Sequence, residues 1–380
     1  MEDFYSAEEK LLREQATKFI LEKVRPRVEE WEKTGEMPKS IFKEFAAQGF
    51  LGILVPEEYG GSNAGPKAFL AFSDAFELST SAGVGAAIAM HAGIVTRLVA
   101  ELASDPIKKK IIPPSVKGDI VGALGLTEPN AGSDLASLTT NVRREGDYYV
   151  LNGTKTFITN GCWCDYVLVL CRQEGTKGYE GMNLLLVERN SPGFSVSRRI
   201  ETLGWRPSQT GELVFENVRV PAGNILGKEG KGFQQIMRAL EWERLMMAHQ
   251  SLRKAEIALD MTMKFVAERE QFGKPIAAFQ NTRHVIAECA TRIEVGRALV
   301  KEAVKRHLAH EESEAFAASA KLLCCEDAQW ILDRCLQLHG GYGYTMEFPI
   351  QRLWRDHRLF TIGGGTSEVQ REILARILDR

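Results

Sequence analysis

Apolar residues recur at helical spacing in the first and last thirds of the chain and alternate in the middle third. Ser6 and Glu9 form a capping box ahead of Leu11, Phe19 and Ile20, so a helix is expected to start there. Pro26 bends or ends it. Pro38, Pro56 with Tyr59-Gly60-Gly61, and Pro113-Pro114 punctuate the helical runs that follow. Ser81 to Val95 is the least charged stretch. His91 breaks it and it is mostly Ala and Gly, so it reads as a buried helix, too short and too weakly apolar to span a bilayer. His91 itself reads as packed or solvated rather than as a substrate contact.

Near Gly122 the period changes. Tyr148 to Leu151, Thr154 to Thr159, Asp165 to Cys171, Met182 to Glu188, Phe194 to Arg199 and Glu212 to Val220 read as strands, with Asn152-Gly153 as a hairpin turn. From Gly232 long helical patterns return over Phe233 to Arg269, Gln280 to His310 and Ala315 to His339. The expectation is an α+β multidomain chain. It has a helical N-terminal domain (1–121), a middle β domain (122–231) and a C-terminal helical bundle (232–380).

Composition narrows the function. Lys plus Arg number 48 against 50 for Asp plus Glu, which leaves no basic surplus for nucleic acid or an anionic membrane. The seven cysteines include Cys162, Cys164, Cys324 and Cys325, with no zinc-like spacing to histidines, so no metal is expected. Reduced thiols and the acidic, polar start MEDFYSAEEK, with no visible signal peptide, point to the cytoplasm.

No GxGxxG follows an expected strand and no Walker sequence is present, which argues against a nicotinamide-binding Rossmann unit. Two glycine clusters remain, His339-Gly340-Gly341-Tyr342-Gly343 and Gly363-Gly364-Gly365. Glycine lets a backbone approach a ligand, and Thr366 or Ser367 can cap the helix after the second cluster. Ile236, Leu240, Glu243 and Met247 share one helical stripe, so Glu243 puts a carboxylate among apolar neighbours. Such a group is either solvated at an edge or kept for function with its pKa pushed upward.

Several segments occur in an order that resembles the acyl-CoA dehydrogenase family over nearly the whole chain. They are LGLTEPNAGSD (124–134), NGTKTFITNG (152–161), ENVRVPAGNILGKEGKGF (216–233), REQFGKPIAAFQ (269–280), HGGYGY (339–344) and TIGGGTSEVQR (361–371). The resemblance implies FAD held non-covalently, with part of its site supplied by a second subunit. Leu126, Thr127 and Ser133 match flavin contacts on one side, and Phe157, Ile158 and Thr159 those on the other. Arg269, Phe272 and Gln280, with the stretch Gln337 to Gly341 that includes Gly340, match contacts to a neighbour's FAD. Thr366, Ser367 and Glu368 match contacts to the subunit's own FAD. Ser133, Glu241, Arg244 and Gly365 match positions beside acyl-CoA.

One departure stands out. Many members carry a catalytic Glu where this chain has Gly364. In the isovaleryl-CoA and long-chain branches the base sits instead on an earlier helix, before an Arg, and Trp242-Glu243-Arg244-Leu245 matches that pattern. The resemblance therefore implies α,β-dehydrogenation of an acyl-CoA to a trans-2-enoyl-CoA. Glu243 is the α-proton acceptor, the flavin takes the hydride, and the Gly364 N–H faces the thioester oxygen. It also implies an electron-transferring flavoprotein as acceptor and a homotetramer built as a dimer of dimers. An oxidase or lyase on the same scaffold, or a flavin-loaded binding protein without turnover, are the alternatives. Because Gly364 lacks a side chain and Ala and Gly dominate Ser81 to Gly93, a wide acyl pocket is expected.

Overall fold

The computed structural model describes residues 4–311 and 313–379. Seven helices come first: α1 (Ala7–Phe19), α2 (Val28–Thr34), α3 (Ile41–Ala46), α4 (Gly65–Ser73), α5 (Ala82–Ile88), α6 (Thr96–Leu102) and α7 (Asp105–Val116). The capping box is closed in both directions. Glu9 N–H donates to Ser6 Oγ at 3.2 Å, and Ser6 N–H donates to Glu9 Oε2 at 2.8 Å. Ahead of Pro26 the first helix loosens into a π turn over Ile20–Val24, and a 3-10 turn, Arg25–Arg27, ends it. The helix at Ser81 to Val95 is longer than its sequence suggests. A π turn at Ala89–Val95 joins α5 to α6, giving a continuous 21-residue helix that is long and apolar enough to cross a membrane. Yet 83 % of its most apolar window is buried inside the protein, as in a core helix.

The middle segment folds as one sheet of seven strands. They are β1 (Gly122–Gly125), β2 (Asn141–Glu145), β3 (Tyr148–Ile158), β4 (Tyr166–Gln173), β5 (Met182–Glu188), β6 (Phe194–Arg199) and β7 (Gly211–Pro221). The order is β1-β4-β2-β3-β7-β6, with β5 paired to β4. Alternating side chains such as Val142, Leu151, Val167, Val169, Leu213 and Phe215 supply its core.

The hairpin expected at Asn152-Gly153 is not there. β3 runs straight through, with a bulge between Leu151 and Gly153 in its pairing with β7. Gly153 is needed for a close approach instead: a Cβ there would lie 2.4 Å from Thr140 Oγ1. The turn falls earlier, at Gly146 (φ +59°), and joins β3 to β2, a strand the sequence reading had missed.

The C-terminal part is a helix bundle: α8 (Gly232–Glu268), α9 (Gln280–Leu308), α10 (Glu314–His339), α11 (Pro349–His357) and α12 (Ser367–Leu378). A two-stranded ribbon, β8 (Glu270–Gln271) with β9 (Lys274–Pro275), separates α8 from α9. Ala258 of α8, Ile293 of α9, Leu332 of α10 and Leu353 of α11 share one buried cluster. The chain's contacts gather into two compact units. One comprises Met1–Glu29, Leu70–Ala82 and Leu240–Arg380, the other Glu30–Phe69 and Gly83–Ala239. They are called below the bundle unit and the sheet unit.

Candidate active site

In the sheet unit, Leu126 and Thr127 leave the end of β1 partly exposed, and a buried ion pair fixes them from beneath. Lys155 on β3 donates to the Leu126 carbonyl at 2.9 Å and to Glu128 Oε1 at 2.8 Å. Glu128 also accepts the Thr139 N–H (2.6 Å), the Thr139 hydroxyl (2.8 Å) and the Thr140 N–H (3.0 Å). The Thr156 N–H donates to the Thr127 carbonyl at 2.9 Å. A buried ion pair is tolerated only when its remaining polar atoms are satisfied, and here Glu128 has three further donors. Burial works to raise the Glu128 carboxyl, but the Lys155 ammonium and the threonine donors outweigh it and hold it at about 2.

Beside this anchor, Phe157 is 64 % exposed and sits at φ +59°, within a bulge between Lys155 and Ile158. Ile158 is buried, Thr159 is partly exposed and Ser133 is exposed.

In the bundle unit, Glu243 lies on α8, in the stripe its sequence indicated. Met247 is buried, and Leu240 and Glu243 are partly exposed. Burial pushes the Glu243 carboxyl up, while Arg244 and Lys321 draw it back down. Gly364 (φ +62°) and Gly365 (φ +88°) both occupy left-handed backbone, which glycine adopts without strain. A Cβ on Gly364 would lie 3.7 Å from Glu243 Oε1, so the carboxylate and this turn face the same space. Among the described residues the Gly364 N–H donates to no acceptor. Gln370 Nε2 donates to the Gly364 carbonyl (3.4 Å) and the Gly365 carbonyl (3.0 Å).

The same Cβ would lie 2.6 Å from Met247 Sδ. The Met247 thioether thus stands against the point at which a side chain on residue 364 would begin.

Next to Glu243, Arg244 is buried, and among the described residues its Nε has no hydrogen-bond partner. Burial lowers its pKa against the opposing pull of Glu314, Glu243 and Glu241. Glu241 is already engaged, accepting from His307 Nδ1 at 2.7 Å and from the Ser313 hydroxyl. Thr366 caps α12, its hydroxyl accepting the Val369 N–H at 3.2 Å. With Ser367 and Glu368 it lines a cavity of ≈ 370 Å³ that Glu326 and Arg358 also border.

Arg269, Phe272, Gln280, Gln337, Gly340 and Gly341 are all exposed. The Arg269 guanidinium lies 5.5 Å over the Tyr342 ring, which brings the end of α8 to the glycine-rich turn. Phe272, 94 % exposed at φ +53°, packs edge-on against Phe279 at 6.3 Å. Bulky residues at positive φ are uncommon and gather where function over-determines the backbone. Phe157 and Phe272 are two such rings.

The sequence reading missed three residues. Lys155 lies inside NGTKTFITNG (152–161), yet nothing local marks it as the partner of Glu128. Met247 read as helix core. Lys321 had a legible signal: it shares the face of Ala317, Cys324, Cys325 and Ala328, as Glu243 shares its own stripe.

Comparison with known proteins agrees with this architecture. Residues 6–119, 123–218 and 230–378 match the acyl-CoA dehydrogenase N-terminal, middle and C-terminal domains respectively. The long-chain specific acyl-CoA dehydrogenase, mitochondrial, of Sus scrofa is 37 % identical over 98 % of this chain and 86 % of that protein. The 3-(aryl)acrylate reductase of Clostridium sporogenes is 35 % identical over 98 % of both. Among solved structures, a probable acyl-CoA dehydrogenase from Mycobacterium abscessus superimposes with a TM-score of 0.96 at 40 % identity, covering 99 % of this chain and 100 % of that one. A glutaryl-CoA dehydrogenase from Mycobacterium smegmatis in complex with FADH2 gives 0.93 at 26 % identity, covering 100 % of this chain and 96 % of that one. These matches support a flavin-dependent oxidoreductase of the acyl-CoA dehydrogenase type. This chain belongs to the acyl-CoA dehydrogenase family.

Proposed function

We propose that the chain is a FAD-dependent acyl-CoA dehydrogenase in which Glu243 accepts the α-proton of the substrate, yielding a trans-2-enoyl-CoA. One observation carries the reading. Glu243 Oε1 lies 3.7 Å from where a Cβ on Gly364 would stand, so α8 delivers a carboxylate to the space that many members fill from position 364. A lyase without a base does not account for that carboxylate.

The chemistry follows from the residues. A thioester Cα–H is a weak acid, so the oxygen that takes up charge as the proton leaves needs a donor. The Gly364 N–H supplies one, and a backbone donor survives the loss of the Glu side chain at that position. Desolvation makes Glu243 a stronger base than a solvated carboxylate, and Arg244 and Lys321 keep it ionisable. Arg244, buried with an unpartnered Nε, fits an anionic group of CoA, and Glu241 stands three residues before it.

The residues present also fit FAD. Phe157 and Phe272 offer exposed rings on strained backbone, and Leu126, Thr127, Ser133, Ile158 and Thr159 are the further residues of the sheet unit that the resemblance assigns to the flavin. Thr366, Ser367 and Glu368 line the cavity at the start of α12. FAD supplies, when bound, the acceptor for the hydride leaving Cβ, which no side chain can provide.

The exposure of Arg269, Phe272, Gln280, Gln337, Gly340 and Gly341 supports completion of the site by a second subunit, in a homotetramer. An electron-transferring flavoprotein fits as the acceptor. The test is a panel of acyl-CoAs mixed anaerobically with the yellow protein. Bleaching with at least one member, and reoxidation by an electron-transferring flavoprotein faster than by O₂, is the expected result. A protein that takes up no FAD, or that no acyl-CoA bleaches, contradicts the reading.

A further inference from the structure

We propose that Lys321 is a positioning residue for proton removal: its ammonium ties down the glycine turn through the Gly365 carbonyl and is the cation that Glu243 faces from α10. This rests on Glu243 being the base.

Lys321 lies in the interior of α10 and is 0 % exposed. It shares its helix face with the small buried residues Ala317, Cys324, Cys325 and Ala328. A leucine would pack there without the several kcal/mol that burying an ammonium costs, so packing alone does not explain a lysine. The ammonium ends on the Gly365 carbonyl, at 2.6 Å.

That carbonyl belongs to the turn that carries Gly364. Two successive glycines at φ +62° and φ +88° have no Cβ to restrict them, so their orientation depends on what holds their carbonyls. Lys321 Nζ and Gln370 Nε2 both hold Gly365, and Gln370 alone reaches Gly364. Lys321 thereby fixes the turn that presents the Gly364 N–H.

The same charge acts on the base. The charged groups facing Glu243 are Arg244 on its own helix and Lys321 on α10. Those facing Lys321 are Cys325 and Glu326 on α10, and Glu243 and Arg244 on α8. Burial favours a protonated Glu243, which cannot accept a proton, and the ammonium opposes that. Burial likewise lowers the Lys321 pKa, with Cys325 and Glu243 opposing it.

The experiment compares Lys321→Met, which keeps the length and removes the charge, with Lys321→Arg, which keeps charge and donors. Anaerobic flavin bleaching is followed across pH with an acyl-CoA that the panel shows to be a substrate. Bleaching needs ionised Glu243, so its acid limb follows the Glu243 pKa. Removing the cation should move that limb upward by about one pH unit, a loss of about tenfold below it. Lys321→Arg should restore the limb. A difference-infrared titration of the Glu243 carboxyl, against Glu243→Gln, should show the same shift without turnover. If Lys321→Met fails to fold or load FAD, Lys321→Gln carries the same comparison. A slower rate with an unmoved limb and an unmoved carboxyl titration overturns the proposal, since a purely structural lysine gives that result. Wild-type bleaching in Glu243→Gln instead overturns the assignment of the base, and identifies which of the two readings has failed.

Discussion

The Met247 thioether occupies the space that a side chain on Gly364 would need: a Cβ at Gly364 would lie 2.6 Å from Met247 Sδ. Many members of the family that the sequence resembles carry a catalytic Glu at that position. The proposed base, Glu243, stands one helical turn before Met247, so the two share one face of α8.

Gly364→Glu in the Glu243→Gln background should therefore fail to restore bleaching. The new side chain meets Met247, and its backbone must hold φ +62°. Adding Met247→Ala opens the volume and should recover bleaching at least tenfold above the double variant, toward straight-chain acyl-CoAs. Full recovery without touching Met247 would show that the thioether does not fill the space.

Lys155→Met should reduce FAD content and lower the thermal midpoint together. It strands the buried Glu128 carboxylate, a change that typically costs about 3–5 kcal/mol, and it releases the Leu126 carbonyl. The Glu128 contribution is complete above its ordinary pKa near 4.5 and is lost as pH falls toward about 2. Lys155→Met/Glu128→Leu should regain part of the stability. Unchanged midpoint and FAD content in Lys155→Met would remove the anchor from the account.

His91 is a neutral, fully buried imidazole, packed edge-on against Phe42 at 5.4 Å. The Gly122 N–H donates to its Nδ1 at 3.0 Å, so Nε2 carries the proton and donates to the Ser115 carbonyl at 3.1 Å. Protonating Nδ1 would break the first bond, and burial pushes the pKa from 6.5 down to about 4. Because the folded value is depressed, the stability is present above pH 6.5 and is lost as pH falls toward 4, about 3 kcal/mol in all. Urea midpoints at pH 7 and pH 4.5 should differ more in wild type than in His91→Gln. Equal differences would show that His91 does not titrate with unfolding.

Much of this was legible in the sequence because it is local. The capping box at Ser6 and Glu9, strands β5 and β6, and the stripe holding Glu243 each depend on a few neighbouring residues. The errors came where local signals answer to distant partners. Gly153 reads as a turn residue but exists to admit Thr140. In β2 only Val142 is buried, so that strand hardly alternates. Lys155 and Met247 gain their meaning from Glu128 and Gly364, which no periodicity connects to them.

The central claim is that Glu243 removes the α-proton, and Glu243→Gln tests it most directly. Gln keeps the shape and hydrogen-bonding reach but accepts no proton, so FAD content and acyl-CoA binding should stay near wild type. On anaerobic mixing with the best acyl-CoA of the panel, flavin bleaching should slow by about a thousandfold to ten-thousandfold, the upper range for loss of a general base. Bleaching at the wild-type rate would show that another residue is the base.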